Sequence, residues 1–332
     1  MSDALEAFLD DALGDHAPII VEAMQGGGSC EVFGLERGGQ RWVLRRAPAH
    51  ASSATAHDVG REFRILTAIA DTGVRVPRPI VACADPSVFE APFYVMERID
   101  GVPVRTGIPE AWVADPAHQH RAFEELIDAL VAVHAVDWRA VGLDGLGRPE
   151  RFLERQVARW LGQLDSYQGR ELPVARDLAG WLEANRPAEQ APTLFHGDYK
   201  MDNVLYAETS PPRLLAVVDW EMASIGDPLV DLAWAMIFHP EPGKPMGLGG
   251  SGDRAFDLGL VPSQASLLER YAAASGRDLG AMAWYEVFSR WKLAIVLEGS
   301  FAKWQRGEST KAIHEFFGPQ ADLLLAQAEE RI

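Results

Sequence analysis

Cysteine is almost missing from this chain: Cys30 and Cys83 are the only two in 332 residues. They are too few and too far apart for a disulfide framework or a zinc repeat, so reduced structural thiols with no redox role are expected. Long apolar runs are missing too. No stretch approaches the ~18 residues that cross a bilayer, and no basic leader runs into an apolar block with a cleavage site. The expectation is a soluble, cytoplasmic protein with no membrane partner. Positive charge is short as well: 31 Lys and Arg stand against 48 Asp and Glu, a formal net charge of −17. That excludes broad affinity for nucleic acid, whose phosphate backbone needs a positive face. It leaves ATP open, because one nucleotide needs only a local basic cluster and a metal ion. The surplus acid reads as solubility ahead of attraction of a cationic acceptor. Histidines at metal-ligand spacing are also lacking. His118 and His120 read as loop residues and His134 as a packing partner, so a zinc enzyme is not favoured.

The chain is 48% hydrophobic, enough for a sizeable core and two lobes. The first lobe is expected over residues 1–100 and the second over 101–332. After a short helix at 4–12, the segments IIVEAM, CEVFGLE and RWVLRRA read as strands separated by glycine-rich turns. Between the first two, QGGGSC offers backbone N–H groups at Gly27 and Gly28 and a hydroxyl at Ser29, a set able to wrap phosphate oxygens. The string is neither GxGxxG nor a P-loop, and a plain hairpin turn is the competing reading. The third strand ends in Arg45 and Arg46, and the helix containing GREFRIL then presents Glu62. A cation that holds nucleotide phosphates must itself be oriented, and a helix carboxylate does this while leaving donors free. Arg45 with Glu62 is the expected pair, against an ordinary surface ion pair, and Arg46 is the other basic residue in reach of that task. Two further strands joined by a polar turn follow, the second being FYVME. From residue 102 onward the pattern turns helical, as in RAFEELIDALVAVHAVDW and RFLERQVARWLGQL.

The chemistry concentrates in TLFHGDYKMDNVLY, followed shortly by LLAVVDWEMASIGDP. Asp198 lies five residues before Asn203, and Asp219 ends an apolar run, so a hairpin-like return would gather all three around one Mg·ATP. A carboxylate beside an acceptor hydroxyl takes its proton during transfer, the role expected of Asp198. A second carboxylate and an amide oxygen hold the metal that bridges phosphate oxygens, the role expected of Asp219 and Asn203. A lone Asp-Gly or Asp-Asn pair more often marks a turn, but turns do not require three metal-compatible oxygens in this order. His196 reads as a support for the loop rather than a reactive group. Asp202 reads as a solvated turn acid, Glu221 equally as a metal or water ligand or a brace, and Asp227 with Pro228 as a helix start. Asp231 is expected to support the loop from that helix. Trp284, Tyr285, Trp291 and Lys292 read as core packing ahead of an acceptor pocket.

His196, Gly197, Asp198 and Asn203, then Asp219 and GDPLVDLAW, resemble the aminoglycoside phosphotransferase family. RWVLRRAP, REFRIL, VPRP, PFYVMERIDG and RWLGQLDSYQGRELP are similar to the branch of kinase-like domains attached to some acyl-CoA dehydrogenases. The resemblance covers residues 20–305. It implies an α+β, protein-kinase-like fold with a small sheet-containing lobe and a larger helical one. It also implies ATP and Mg²⁺ as cofactors, and a hydroxyl-bearing small molecule as acceptor. In that family the position of Arg45 is commonly lysine, and the guanidinium fork is not equivalent to an ammonium. Backbone groups at Glu97, Arg98 and Ile99 would read the adenine edge, with Met96 against the ring or simply in the core. A nucleotide-binding protein with weak or no catalysis and a phosphoester or nucleotide hydrolase are the other readings. Acceptor identity, and monomer against homodimer, stay open.

Overall fold

The computed structural model describes residues 3–24, 30–48, 58–105, 107–240 and 254–332. The phosphate-wrapping role expected of Gly27, Gly28 and Ser29 falls outside them. The chain forms two lobes, a small sheet followed by a larger, mostly helical region. The sheet contains β1 (Ile20–Ala23), β2 (Glu31–Arg37), β3 (Gln40–Arg46), β4 (Pro79–Cys83) and β5 (Phe93–Glu97), all antiparallel in the order β1-β2-β3-β5-β4. Gly38 and Gly39, at φ 57° and 80°, close the two-residue β2–β3 hairpin, a turn that needs positive φ at both central positions.

Strand alternation sorts this sheet into two faces. Leu44, Phe93 and Val95 turn to one side, where α1 (Asp3–Leu13) covers them with Leu5 and Leu9. Val43, Tyr94 and Met96 turn to the other and join Ile65, Leu66 and Ile69 of α2 (Val59–Ile69). Each fully buried Leu or Ile on that helix contributes about 1.5–3 kcal/mol. Asp58 starts α2 by accepting the Arg61 N–H at 2.9 Å. The same alternation separates the two arginines. Arg45 shares the α2 side with Val43, whereas Arg46 shares the outer side with Leu44, paired with Glu31 and Glu90 and lying 4.2 Å over Phe89. The expected polar turn between β4 and β5 is instead a one-turn helix, α3 (Pro86–Phe89). Asp85 caps it through the Ser87 N–H, and Pro86 suits its first position.

The larger lobe runs through α4 (Glu110–Ala114), α5 (His120–His134), α6 (Phe152–Ser166) and α7 (Pro173–Ala184). Two short sheets follow: β6 (Thr193–Phe195) pairs β9 (Ser224–Gly226), and β7 (Val204–Tyr206) pairs β8 (Leu214–Val217). The chain then forms α8 (Leu229–Ile237), α9 (Gln264–Ser275), α10 (Met282–Gln305) and α11 (Phe317–Glu329). Trp284, Tyr285 and Trp291 on α10 are buried, and their polar atoms donate to Leu182 O, Asp227 and Ala175 O. They are core, as their helical spacing suggests. No helix among the described residues is long and apolar enough to cross a membrane. Cys30 and Cys83 are buried free thiols.

Candidate active site

Both short sheets exist to hold one loop. β6 delivers the chain into His196–Gly197–Asp198, a turn at residues 201–203 follows, and β7 pairs back with β8 so that Asn203 O accepts the Val218 N–H at 2.9 Å. Asp219 is the next residue. The hairpin return therefore brings Asp198, Asn203 and Asp219 together. Gly197 is there because nothing larger fits: its φ is 88°, and a Cβ would lie 2.4 Å from Met222 O. His196 is fully buried; its Nδ1 accepts the Asp198 N–H at 3.3 Å and its Nε2 donates to Val218 O at 2.9 Å. Both ring nitrogens are spent on tying the loop to the strand end.

Asp231 anchors the loop from α8, accepting the N–H groups of His196 and Gly197, the latter at 2.8 Å. Burial pushes its carboxyl up, but His134, His196 and the backbone donor outweigh it and hold it below the ordinary 3.8. Burial also pulls the His134 ring below its ordinary 6.5, against the pull of Asp231 at 3.5 Å. Asp227 accepts the Leu229 N–H at 3.0 Å where α8 begins. Asp202 is not a solvated turn acid. It is half-buried beside the loop, and burial raises its carboxyl because Lys200 and Arg105 compensate only in part.

Every oxygen of Asp198 is held. Asn203 Nδ2 donates to Oδ2 at 2.8 Å, Lys200 Nζ pairs with the same oxygen, and the Trp234 indole N–H donates to Oδ1 at 2.8 Å. Lys200 and Trp234 were not picked out by the sequence. The signal for Lys200 is its place two residues beyond Asp198; that for Trp234 is only its membership of GDPLVDLAW. Fixing a carboxylate from both sides sets the direction of its remaining lone pairs. Trp234→Phe keeps the aromatic packing and deletes that one donor. It is expected to lower the turnover rate about tenfold while leaving the nucleotide KM unchanged in steady-state assays. An unchanged turnover rate would deny the indole any such part.

Across the cleft, Arg45 bridges two acids, with Nε 3.3 Å from Glu62 and a terminal nitrogen 3.0 Å from Asp219. Burial works against the Arg45 charge, and Glu62, with Tyr94 and Asp219, more than offsets it. Burial likewise pushes the Glu62 carboxyl up to about 7 against the pull of Arg45. Glu62 also accepts the Trp220 N–H at 3.0 Å, which pins the residue after Asp219. Asp219 itself has φ 68°, an uncommon conformation for a non-glycine residue.

Arg45, Glu97, Arg98, Ile99, Asn203 and Asp219 line one cavity of about 430 Å³ between the sheet and β7–β8, with Met24, Val32, Met96 and Leu205 as apolar walls. Glu62 lies behind Arg45. Met96 is 7% exposed and packs in the core while also forming part of this wall. A second cavity, about 380 Å³, opens at Gly197 and is walled by Trp160, Arg159 and Lys292 among others. Glu221 faces it, and its carbonyl accepts from Arg61 at 3.0 Å.

No group of three or more His, Cys, Asp and Glu suited to a metal occurs among the described residues. The oxygen set nonetheless suits Mg²⁺, which typically takes one or two protein oxygens and leaves the rest to phosphate and water. Asn203 spends its amide nitrogen on Asp198, so its carbonyl oxygen is the atom left to coordinate, and the Asp219 carboxylate lines the same cavity.

Comparison with known proteins fits this arrangement. Residues 21–285 match the profile of the phosphotransferase enzyme family. Acyl-CoA dehydrogenase family member 11 of Gallus gallus is 33% identical over 303 residues, covering 89% of this chain and 38% of that protein. The chain thus spans well under half the length of the curated relatives of that kind. A solved structure from Ralstonia eutropha, provisionally described as an aminoglycoside phosphotransferase, superposes with a TM-score of 0.83 at 30% identity, covering 99% of this chain and 98% of that one. Choline kinase of Cryptosporidium parvum, at 12% identity and a TM-score of 0.63 over 94% of this chain and 88% of that one, shares the fold. By its sequence match and its fold, this chain belongs to the phosphotransferase enzyme family.

Proposed function

We propose that the protein transfers the γ-phosphoryl group of ATP to a hydroxyl of a small molecule, with residues 1–100 supplying the nucleotide lobe and 101–332 the acceptor lobe. The observation that carries this is the position of Asp198. Its carboxylate is held from both sides at 2.8 Å, on a loop flanked by one cavity suited to a nucleotide and another suited to an acceptor. Backbone groups of Glu97, Arg98 and Ile99 would face the adenine edge, and Met96 its ring. Arg45, oriented by Glu62, supplies positive charge to the phosphates. Asn203 and Asp219 would hold Mg²⁺, which when bound neutralises charge on the transferred phosphoryl group. Asp198 accepts the acceptor's proton as its oxygen attacks phosphorus and the bond to ADP breaks, so no phosphorylated protein is required. Lys200, beside Asp198, adds charge stabilisation where the phosphoryl group passes.

Two measurements test this together: nucleotide titration with and without Mg²⁺, and mass-spectrometric detection of a phosphorylated product from a pool of hydroxylated metabolites. Mg-dependent binding and a product one phosphoryl group heavier are expected. Asp219→Ala should weaken Mg-dependent nucleotide binding by about tenfold or more. ATP consumption with no acceptor requirement would point to hydrolysis, and binding without turnover to a nucleotide-binding role. Absence of binding would remove the proposal.

A further inference from the structure

The second cavity is lined by cations that include Arg159 and Lys292. Several arginines of this acidic chain are matched to carboxylates, as in Arg45 with Glu62, Arg46 with Glu31, Arg75 with Glu125, Arg170 with Glu298 and Arg270 with Asp128. Arg159 on α6 and Lys292 on α10 are not. Both line the second cavity, and among the described residues neither has a carboxylate within ion-pair distance. Arg159 lies 5.6 Å from the Trp160 ring, and Lys292 lies 4.3 Å over Trp234 and 5.4 Å from Trp160 while donating to Gly197 O at 3.5 Å. The cavity's carboxylates come from elsewhere, and two of them are engaged. Asp231 takes two loop N–H groups and Asp58 caps α2, while Glu221 faces the cavity from the loop after β8.

Aromatic walls of this kind attract an ammonium ion. Here the protein's own ammonium already occupies that place, so a cationic acceptor meets both a filled cage and like charge. An anion meets two cations that no carboxylate contacts directly, the nearby Asp231 and Asp198 acting on Lys292 only through space. The indole of Trp234 joins this feature to the chemistry, since its N–H edge holds Asp198 at 2.8 Å and its face holds Lys292 at 4.3 Å. Lys292 also reaches Gly197 O at 3.5 Å, so an anionic group held there would lie beside the loop that carries Asp198.

We propose that the second cavity is the acceptor pocket and that it selects alcohols carrying an oxyanion, a carboxylate or a phosphate, bound by Lys292 and Arg159. Burial lowers the Lys292 ammonium to about 8, with Asp231 and Asp198 opposing, so it is still mostly charged at neutral pH and gains from a bound anion. The assignment of the pocket to the acceptor rests on the phosphoryl-transfer reading above.

Tryptophan fluorescence tests the site directly, since Trp160 is part of the cavity wall and Trp234 lies against Lys292. The full chain, saturated with Mg²⁺ and a non-hydrolysable ATP analogue to fill the nucleotide cavity, is titrated with inorganic phosphate, with acetate and with tetramethylammonium. A saturable change is expected with one or both oxyanions and none with tetramethylammonium; the responding oxyanion identifies phosphate or carboxylate as the recognised group. Binding should weaken about tenfold in Lys292→Met and several-fold in Arg159→Gln, a surface change that leaves folding intact. Tetramethylammonium binding in preference, no oxyanion response, or equal oxyanion affinity in both variants would overturn the proposal. Variant-sensitive oxyanion binding in a protein that phosphorylates nothing would leave the anion site standing and remove the phosphoryl-transfer reading instead.

Discussion

Asp198→Asn is expected to abolish most phosphoryl transfer, by about 10²–10⁴-fold, because an amide cannot take up the acceptor proton. The surroundings make the substitution harsher than a simple loss of charge. Three donors converge on this side chain: the Trp234 indole on one oxygen, and Asn203 Nδ2 with Lys200 Nζ on the other. An asparagine offers one acceptor and one NH₂ group, so whichever way it turns, a donor faces a donor. Leaving such a group unpaired costs about 1–3 kcal/mol. Nucleotide binding should persist, because Arg45, Asn203 and Asp219 line the cavity proposed for the nucleotide independently of that proton. Product formation measured by mass spectrometry beside nucleotide titration on the same preparation separates the two effects. Transfer at the wild-type rate would end the assignment of Asp198 as the base.

Asp231→Ala should act through the fold and then through activity. The carboxylate is 1% exposed and accepts the backbone N–H groups of two consecutive loop residues. Removing it orphans both donors inside the protein, at about 3 kcal/mol or more in total, and lets the loop that carries Asp198 relax. Chemical denaturation of wild type and variant at neutral pH gives this difference. Its pH dependence has a defined sign. Since the folded carboxyl lies below its ordinary 3.8, the stabilisation is complete above that value and fades as pH falls through the lower folded one. The two proteins should therefore differ most near neutrality and converge in strong acid. A difference below about 1 kcal/mol at neutral pH would show that the loop does not depend on Asp231.

The parts of the site legible in the sequence are those encoded by local order. Asp198, Asn203 and Asp219 stand at strand ends and in a tight turn, so a short hairpin is enough to gather them. Period-two alternation likewise separates Arg45 from Arg46, though only the packed faces show which of them meets the cleft. What stayed hidden depends on contacts between distant segments. Trp234 is 36 residues from Asp198, and its helix is apolar nearly all round, so nothing in the pattern distinguishes a donor from a packing residue. Lys292 sits among buried aromatic residues on α10, so its spacing alone reads as core, yet it lines a cavity. Asp202 misled because its turn-like neighbours suggest water, whereas the surrounding fold half-buries it. The short helix α3 carries no periodic signal of its own, because four residues are too few to show a period.

Arg61 gives the molecule a seam that runs differently from its sequence. It stands on α2, within the first hundred residues, yet its guanidinium donates to the carbonyls of Leu146, Glu221 and Ala223 in the second lobe. A fragment cut at the boundary between the lobes would carry a helix whose arginine had lost all three acceptors, and the remainder would lose the donor that ties two of its loops together. Swapping the small lobe for that of another member of the family therefore means transplanting this arginine with its three carbonyl partners, and the natural unit for such a graft includes α2 with the loops it fastens.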